Sequence, residues 1–256
     1  MNKKLKQYLK FFYRLIQPFF DPITLFFSLP RYVDFIKDFY RYSRIRDVEH
    51  INLLDIYPRI HEKTQVTNFD KHYFYQDTWA FKKIFDSKVQ VHVDIGSRVD
   101  FIGFLSVITK VKFADIRPIE VDLGNIKPIK GDILSLPFSD NSIESLSCLS
   151  VAEHIGLGRY GDVLDPRGTE KACKELTRVL AVNGNLYFSL PIGRPRLHFN
   201  SHRIHSIEQI LDYFKELKLV EFSGVDHRGN FFQNAGKDIF KDAEGLNNGL
   251  FWFKKL

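Results

Sequence analysis

Sulfur-containing residues are scarce in this chain, which has two cysteines and one methionine among 256 residues. Cys148 and Cys173 each lie within an apolar pattern, so we expect buried thiols in a reducing compartment. No spacing of cysteines suggests a zinc site, and two cysteines provide no disulfide framework. The fold must therefore rest on an apolar core, for which this length and 44% hydrophobic residues suffice.

Long apolar runs are also lacking, and the stretch that comes nearest to one is amino-terminal. Phenylalanines recur between residues 11 and 27, but Arg14 and Asp21 interrupt them and prolines at 18, 22 and 30 divide them. A spanning helix needs about 20 predominantly apolar residues, and a signal peptide needs a small-residue cleavage site. The pattern predicts neither, so we expect a cytoplasmic protein.

Excess positive charge is almost confined to the first 50 residues. They contain ten Lys/Arg and five Asp/Glu, a net of +5, whereas the rest contains 27 and 26, a net of +1. Phosphate binding favours a basic face, so the nearly neutral remainder argues against a nucleic-acid partner. Residues 1–30, basic and aromatic, suit peripheral contact with the anionic inner face of a membrane. Alternatively, their aromatic side chains cover the sheet of the main domain.

A strand–turn–helix–strand pattern begins near residue 88. Residues 88–95 alternate and then run apolar as a strand does, residues 96–97 mark a turn, and residues 99–108 have apolar positions at helical spacing. The next apolar run ends in Asp115, 21 residues after Asp94. This order predicts the nucleotide-binding half of a doubly wound fold, in which the second acid accepts hydrogen bonds from ribose hydroxyls.

The turn after this first strand has fewer glycines than a dinucleotide site requires. The fingerprint reads G-x-G-x-x-G, whereas this turn reads GSRVD and the next glycine is at position 103. The second glycine of the fingerprint lets the backbone approach a pyrophosphate. Its absence argues against NAD and favours a nucleoside without a pyrophosphate.

The remaining pattern predicts one α/β domain. We expect a doubly wound, Rossmann-like and mostly parallel sheet over residues 76–256, preceded by a helical, aromatic-rich extension over residues 1–75. The apolar face of a helix at residues 32–40 is expected to pack into a core. We also expect a strand at 186–190 that Pro191 ends, and a last, antiparallel edge strand at 250–253.

Two polar clusters follow predicted strands. Residues 150–166 read SVAEHIGLGRYGDVLDP, and residues 193–205 read GRPRLHFNSHRIH. Because the carboxyl ends of neighbouring parallel strands meet at one edge of a sheet, both clusters should converge over one crevice. The three histidines of the second cluster could share a metal only in a helix, which Pro195 and Asn200 disfavour. We therefore assign no metal.

Several segments together resemble the class I S-adenosylmethionine-dependent methyltransferases. They are VDIGS, ADIRP, GDILSLPFSDNSIESLSCLSVAEH and RVLAVNGNLYFSLP, within residues 88–225. More narrowly, EHIGLGRYGDVLDP with the downstream FNSHRI resembles a methyltransferase-like family of unknown function, first catalogued in nematodes and found in bacteria. The resemblance implies S-adenosylmethionine as the cofactor. It implies that Asp94, Gly96 and Ser97 line the methionine and ribose side of this cofactor. Asp115 would bind the ribose hydroxyls, and Asp132 and Ile133 would flank the adenine. Residues from Val151 to His154 would face the reacting methyl.

A methyltransferase that acts on a hydroxyl group needs a base to remove the proton, and a histidine near neutral pKa suits that task. We expect His154 or His202 to be that base, with Glu153 as the orienting partner. Arginine forks match anionic groups, and polar side chains hold hydroxyls. The candidate acceptor-binding residues are Arg159, Asp162, Asn200 and Arg203.

The favoured hypothesis is O-methylation of a small-molecule or glycan acceptor, in surface polysaccharide biosynthesis. A second hypothesis is an inactive methyltransferase-like fold that serves as a binding or scaffold subunit, since Arg98 and Asp100 stand where the family has small residues. A third is a nucleic-acid methyltransferase. The near-neutral charge and the lack of an Asn-Pro-Pro-aromatic motif argue against the third.

Overall fold

The structure is a computed structural model, and it describes residues 3–17, 20–45, 49, 51–241 and 243–256. The chain divides into two compact units, residues 1–68 and residues 69–256. The first helix of the second unit begins at Lys71, so the boundary expected at 75/76 falls inside that helix. That residues 1–75 act as an extension of a catalytic domain remains a prediction.

The described part of the first unit is mainly helical, with α1 (Lys3–Ile16) and α2 (Pro22–Tyr42). Asp21 caps α2, because its Oδ1 accepts hydrogen bonds from the backbone N of Ile23 at 3.1 Å and of Thr24 at 3.0 Å. Pro30 lies inside α2 and does not end it. The expectation of a core-packed face at residues 32–40 was wrong, since no residue of α2 is buried. Among the helices described, none has the length and apolarity needed to cross a bilayer.

The second unit alternates strands with helices. Its described helices are α3 (Lys71–Ser87), α4 (Val99–Leu105), α5 (Gly168–Val179) and α6 (Ile207–Tyr213). Its described strands are β1 (Val91–Ile95), β2 (Lys110–Asp115), β3 (Ile126–Lys130), β4 (Ile143–Leu149), β5 (Leu180–Ile192), β6 (Arg196–His198), β7 (His202–Ile204), β8 (Leu217–Val225), β9 (Phe231–Phe232) and β10 (Asn247–Lys255).

The main sheet has the strand order β3-β2-β1-β4-β5-β10-β8-β9. Neighbours from β3 to β5 in this order pair in parallel, while β10 runs antiparallel to both β5 and β8. The predicted doubly wound, mostly parallel α/β sheet is therefore confirmed. The strand order reverses between β1 and β4, and such a switch point is where open α/β sheets bind ligands.

Two strands differ from their predicted form. β10 is an interior strand rather than an edge strand, because it pairs with β5 on one side and with β8 on the other. Its apolar residues Leu250, Phe251 and Phe253 are buried. β5 extends through Pro191, which pairs with Asn248 of β10 and does not end the strand. The polar segment after β5 forms the hairpin β6–β7, so it is not helical.

Candidate functional site

Two neighbouring cavities open at the carboxyl ends of the parallel strands. The first, of about 390 Å³, lies beyond β2 and we call it the β2 cavity. The second, of about 290 Å³, lies beyond β4 and β5 and we call it the β5 cavity. Residues lining both cavities mark their junction: Gly96, Ser150, His154 and Tyr160. A ligand that extends from one cavity into the other would pass these residues.

The turn after β1 brings Gly96 and Ser97 to the cavities. Gly96 has a φ of 65°, a left-handed conformation that favours glycine. Asp94 lies beneath the turn, fully buried, where it accepts hydrogen bonds from Ser97 N at 3.0 Å, from Ser97 Oγ at 2.7 Å and from the hydroxyl of Ser147. Burial raises the pKa of Asp94 to about 7. Asp94 lines neither cavity, so its observed role is to hold the turn.

The β2 cavity combines carboxylates with apolar walls. Asp115 is the last residue of β2, and its Oδ1 accepts a hydrogen bond from the backbone N of Arg117 at 2.7 Å. Asp132 follows β3 and is held in the same way by the N of Leu134 at 2.9 Å. The predicted cofactor residues that line this cavity are Gly96, Asp115, Asp132, Ile133 and Val151. Two rigidly held acids beside aliphatic side chains suit a ligand with a diol and a flat apolar ring.

The loop after β4 is organised by Asp162. Its Oδ2 accepts hydrogen bonds from the backbone N of Gly156 at 2.6 Å, Leu157 at 3.1 Å and Gly158 at 3.3 Å. Asp162 lines the β2 cavity, not the β5 cavity in which an acceptor-binding role would place it. Its carboxylate therefore shapes the loop that connects the two cavities.

Two other predicted acceptor-binding residues lie outside both cavities. Arg203 donates hydrogen bonds to the backbone oxygens of Ile155 at 2.5 Å and Asp165 at 2.9 Å, which fastens the loop to β7. Asn200, in the turn between β6 and β7, lines neither cavity. Arg159 does line the β5 cavity, and it donates to the backbone oxygen of Ser201 at 3.1 Å.

His154 stands at the junction with its tautomer set by the backbone. Its Nδ1 is 2.6 Å from the carbonyl oxygen of Ser201 and 3.2 Å from Nη1 of Arg159. The shorter contact is to an oxygen that can only accept, so we assign the hydrogen to Nδ1 and the lone pair to Nε2. Nε2 is 3.6 Å from Glu153 Oε1, beyond hydrogen-bond distance. Burial lowers the pKa of His154 to about 4, below the near-neutral value expected from the sequence, so the imidazole is neutral at pH 7.

Glu153, in the 3₁₀ turn Ala152–His154 after β4, and His202, in β7, both line the β5 cavity. Glu153 is 2% exposed, and this burial raises its pKa to about 8. His202 Nδ1 is 2.8 Å from the hydroxyl of Ser201, and burial lowers the pKa of His202 to about 4. The two polar clusters thus meet in one cavity, since Glu153, His154, Arg159 and His202 all line it, while Arg203 does not.

Several residues that line the cavities were not predicted from the sequence. Asp70 and Tyr73, at the start of α3, line the β5 cavity, as does Asn248 at the start of β10. Tyr160 lines both cavities, with its ring 4.3 Å below the guanidinium of Arg117. Only Tyr160 belongs to a predicted cluster, and nothing in the local sequence of the other three separates them from ordinary surface residues. The described residues include no group of three or more His, Cys, Asp and Glu side chains placed to share a metal.

One sequence family matches the chain, described as Caenorhabditis protein of unknown function, DUF268, over residues 138–229. This range is less than half of the chain, and it contains both polar clusters. A comparison with curated proteins finds no significant match.

Solved structures show the fold. The N-methyltransferase NodS from Bradyrhizobium japonicum WM9, in complex with S-adenosyl-L-homocysteine, is 15% identical and superimposes with a TM-score of 0.51, covering 71% of this chain and 86% of NodS. The [4+2]-cyclase SpnF is 12% identical with a TM-score of 0.50, covering 70% of this chain and 81% of SpnF. The predicted resemblance to class I methyltransferases is confirmed at the level of the fold. At this identity the fold alone is shared, and SpnF shows that it also carries other chemistry.

Proposed function

We propose that this chain is an S-adenosylmethionine-dependent methyltransferase that methylates a hydroxyl group of a small-molecule or glycan acceptor. The observation that carries the proposal is the pair of cavities joined at His154, at the switch point of a class I methyltransferase fold. The β2 cavity combines carboxylates with aliphatic side chains, a combination that suits a nucleoside. The other holds titratable groups and has room for a separate acceptor.

The residues of the β2 cavity fit S-adenosylmethionine. Asp115 would accept hydrogen bonds from the ribose hydroxyls, and Ile116 and Ile133 would cover the faces of the adenine. Gly96 leaves the junction open, since a Cβ there would lie 3.2 Å from Val151 Cγ1. When bound, this cofactor supplies a methyl group on a positively charged sulfur.

The residues of the β5 cavity would position the acceptor and take its proton. Holding two reactants close and aligned contributes about 7–11 kcal/mol to such a displacement. His154 Nε2 carries a lone pair at the junction, and we propose that it accepts the proton of the acceptor's hydroxyl group. When ionised, Glu153, whose Oε1 is 3.6 Å from Nε2, would stabilise the imidazolium. Of the two histidines, His154 is favoured as the base because only it lines both cavities.

The cofactor assignment is tested by binding. We expect the wild-type protein to bind S-adenosylhomocysteine, and Asp115→Ala to weaken binding by about 10- to 150-fold, because a hydrogen bond to a charged group contributes about 1.5–3 kcal/mol. Isothermal titration calorimetry measures both affinities. Asp122→Ala is the matched control, since Asp122 is an exposed acid that lines neither cavity.

Two outcomes would contradict the assignment. Wild-type protein without binding heat or thermal shift would favour the scaffold alternative. Equal affinities for Asp115→Ala and Asp122→Ala would show that the nucleoside lies elsewhere.

We further propose that α1 holds the enzyme at the anionic inner face of a membrane, where lipid-linked glycans of surface polysaccharides are accessible. Leu5, Leu9, Phe12 and Ile16 recur at the spacing of one helical face, and each is about half exposed. Lys6, Lys10 and Arg14 recur on another face of the same helix. An amphipathic helix with a basic face is typical of segments that lie in the plane of an anionic bilayer surface.

Replacing Lys6, Lys10 and Arg14 by Ser should weaken sedimentation with phosphatidylserine-containing vesicles by about 100-fold, because each basic residue contributes about 1 kcal/mol near an anionic surface. The matched control replaces Lys215, Lys218 and Lys237, three exposed lysines of the second unit, by Ser. The membrane role would be refuted if the full-length protein does not sediment with these vesicles at low salt. It would also be refuted if both triple variants lose vesicle binding equally.

A further inference from the structure

Unpaired buried polar atoms are concentrated in the β5 cavity. Within the described residues, four buried side-chain polar atoms have no hydrogen-bond partner. Three of the four belong to residues that line this cavity: Glu153 Oε2, His202 Nε2 and Asn248 Oδ1. Buried polar atoms in folded proteins are nearly always hydrogen-bonded. Three orphans around one cavity are therefore placed to hydrogen-bond to the molecule that fills it.

The orientation of the Asn248 amide is fixed by the buried residue Gln76. Gln76 Nε2 donates to Asp77 Oδ1 at 3.1 Å, which leaves Gln76 Oε1 as an acceptor. That oxygen accepts from Ser150 Oγ and Ser189 Oγ, each at 2.7 Å, and from Asn248 Nδ2 at 2.9 Å. Because the Asn248 NH₂ group is committed to Gln76, its Oδ1 is the atom left for a ligand.

The hydrogen-bonding capacity of the three atoms restricts the ligand. Asn248 Oδ1 can only accept, so its partner must be a donor. His202 Nε2 donates or accepts according to how the Ser201 hydroxyl turns toward Nδ1, and a buried neutral Glu153 also does both. A hydroxyl group matches all three atoms. The oxygens of a carboxylate or phosphate cannot partner Asn248 Oδ1.

The arginines that line the cavity do not require an anionic ligand. Arg98 donates to Asp100 Oδ2 at 2.9 Å and lies 4.8 Å over the ring of Tyr73. Arg159 donates to the backbone oxygen of Ser201 at 3.1 Å. The charge of Arg98 is paired with a carboxylate, and Nη1 of Arg159 is already occupied by a carbonyl oxygen.

We propose that the β5 cavity binds a neutral acceptor with at least two hydroxyl groups, such as an uncharged sugar unit, and that Asn248 selects it by accepting a hydrogen bond from one hydroxyl. This inference rests on the proposed function and names its acceptor class. Asn248 is a specificity residue that contacts the acceptor and takes no part in proton transfer. The other donor that could reach Asn248 Oδ1 is the ammonium group of the cofactor's methionine moiety, which the test separates from the acceptor.

The test measures binding of a neutral sugar and of its anionic counterpart. The probes are methyl α-D-glucopyranoside and the corresponding uronate, titrated by saturation-transfer NMR with and without saturating S-adenosylhomocysteine. In Asn248→Leu, a side chain of similar size lacks the acceptor atom, while Gln76 Oε1 keeps its two serine donors. Ser189→Ala is the matched control, because it removes another donor to Gln76 Oε1 and leaves Asn248 Oδ1 in place.

We expect the glucoside to bind wild type and Ser189→Ala alike, and to bind Asn248→Leu about tenfold more weakly, the loss of one hydrogen bond. The uronate should bind wild type more weakly than the glucoside, and all three proteins should bind S-adenosylhomocysteine equally. If Asn248→Leu does not fold, Asn248→Ala replaces it, since it also lacks the acceptor atom and leaves Gln76 Oε1 its two serine donors.

Four results would overturn the inference. The first is that Asn248→Leu binds the glucoside as well as wild type does, and the second is that wild type prefers the uronate. The third is that wild type gives no glucoside signal at about 50 mM, a concentration at which weak fragments of the right class should register. The fourth is that Asn248→Leu loses affinity only for S-adenosylhomocysteine. The last result would identify the cofactor's ammonium as the partner of Asn248. If no protein binds the nucleoside but the glucoside still depends on Asn248, the proposed function fails, and the β5 cavity remains a sugar-binding site without a methyl donor.

Discussion

His154→Ala should lower the rate of methyl transfer to a hydroxylated acceptor by about 10²–10⁴-fold, the range typical of general-base catalysis. The Ser201 carbonyl oxygen holds Nδ1 at 2.6 Å, so Nε2 is free to take a proton at the junction of the two cavities. Steady-state kinetics with S-adenosylmethionine measure kcat, and calorimetry should show nearly unchanged affinity for S-adenosylhomocysteine. His202→Ala is the comparison, and it should raise KM for the acceptor more than it lowers kcat. If His202→Ala instead lowers kcat more than it raises KM, His202 is the base.

Glu153 should affect the same reaction through His154, and the pH profile distinguishes this role from a structural one. Burial raises the pKa of Glu153 to about 8, so the side chain is neutral below that pH and a carboxylate above it. A carboxylate 3.6 Å from His154 Nε2 favours the imidazolium, so kcat should increase as pH rises through about 8. Glu153→Gln should remove this increase while the protein stays folded. A profile that Glu153→Gln leaves unchanged would exclude the coupling.

Gly156→Ala should disrupt the loop after β4 and destabilise the protein by about 2–4 kcal/mol. A Cβ at Gly156 would lie 2.2 Å from the backbone oxygen of Asp165, and the φ of 80° is strained for any residue with a side chain. The loop carries His154 and Tyr160 at the junction, so S-adenosylhomocysteine affinity should fall as well. Chemical denaturation and calorimetry measure the two effects.

Gly161→Ala is the matched control for this substitution. Gly161 lies in the same loop with a φ of 84°, but a Cβ at this position would have no neighbouring atom within 4 Å. The variant should therefore show only the backbone penalty, about 1–2 kcal/mol. Equal losses in the two variants would mean that the contact with Asp165 does not organise the loop.

The positions of the acidic and polar clusters could be predicted because they depend on chain order. Asp115 ends a parallel strand, and Asp132 and the clusters that contain Glu153 and His202 follow parallel strands. The carboxyl ends of parallel strands share one edge. The role of Arg203 could not be predicted in this way. Its cluster reaches the cavity, but the guanidinium turns to two backbone oxygens of the loop, and such side-chain directions are set by local packing.

The amino-acid sequence by itself determined the fold class, because strand and helix periodicities and the right-handed crossover leave few arrangements for alternating apolar segments. It also determined which polar segments stand at the carboxyl edge of the parallel strands. The tertiary structure alone decided that β10 lies inside the sheet, and thereby that Asn248 meets Gln76, 172 positions earlier in the chain, beside Glu153 and His202. Contacts between residues so far apart depend on strand pairing and register across the whole sheet, and no local pattern encodes them.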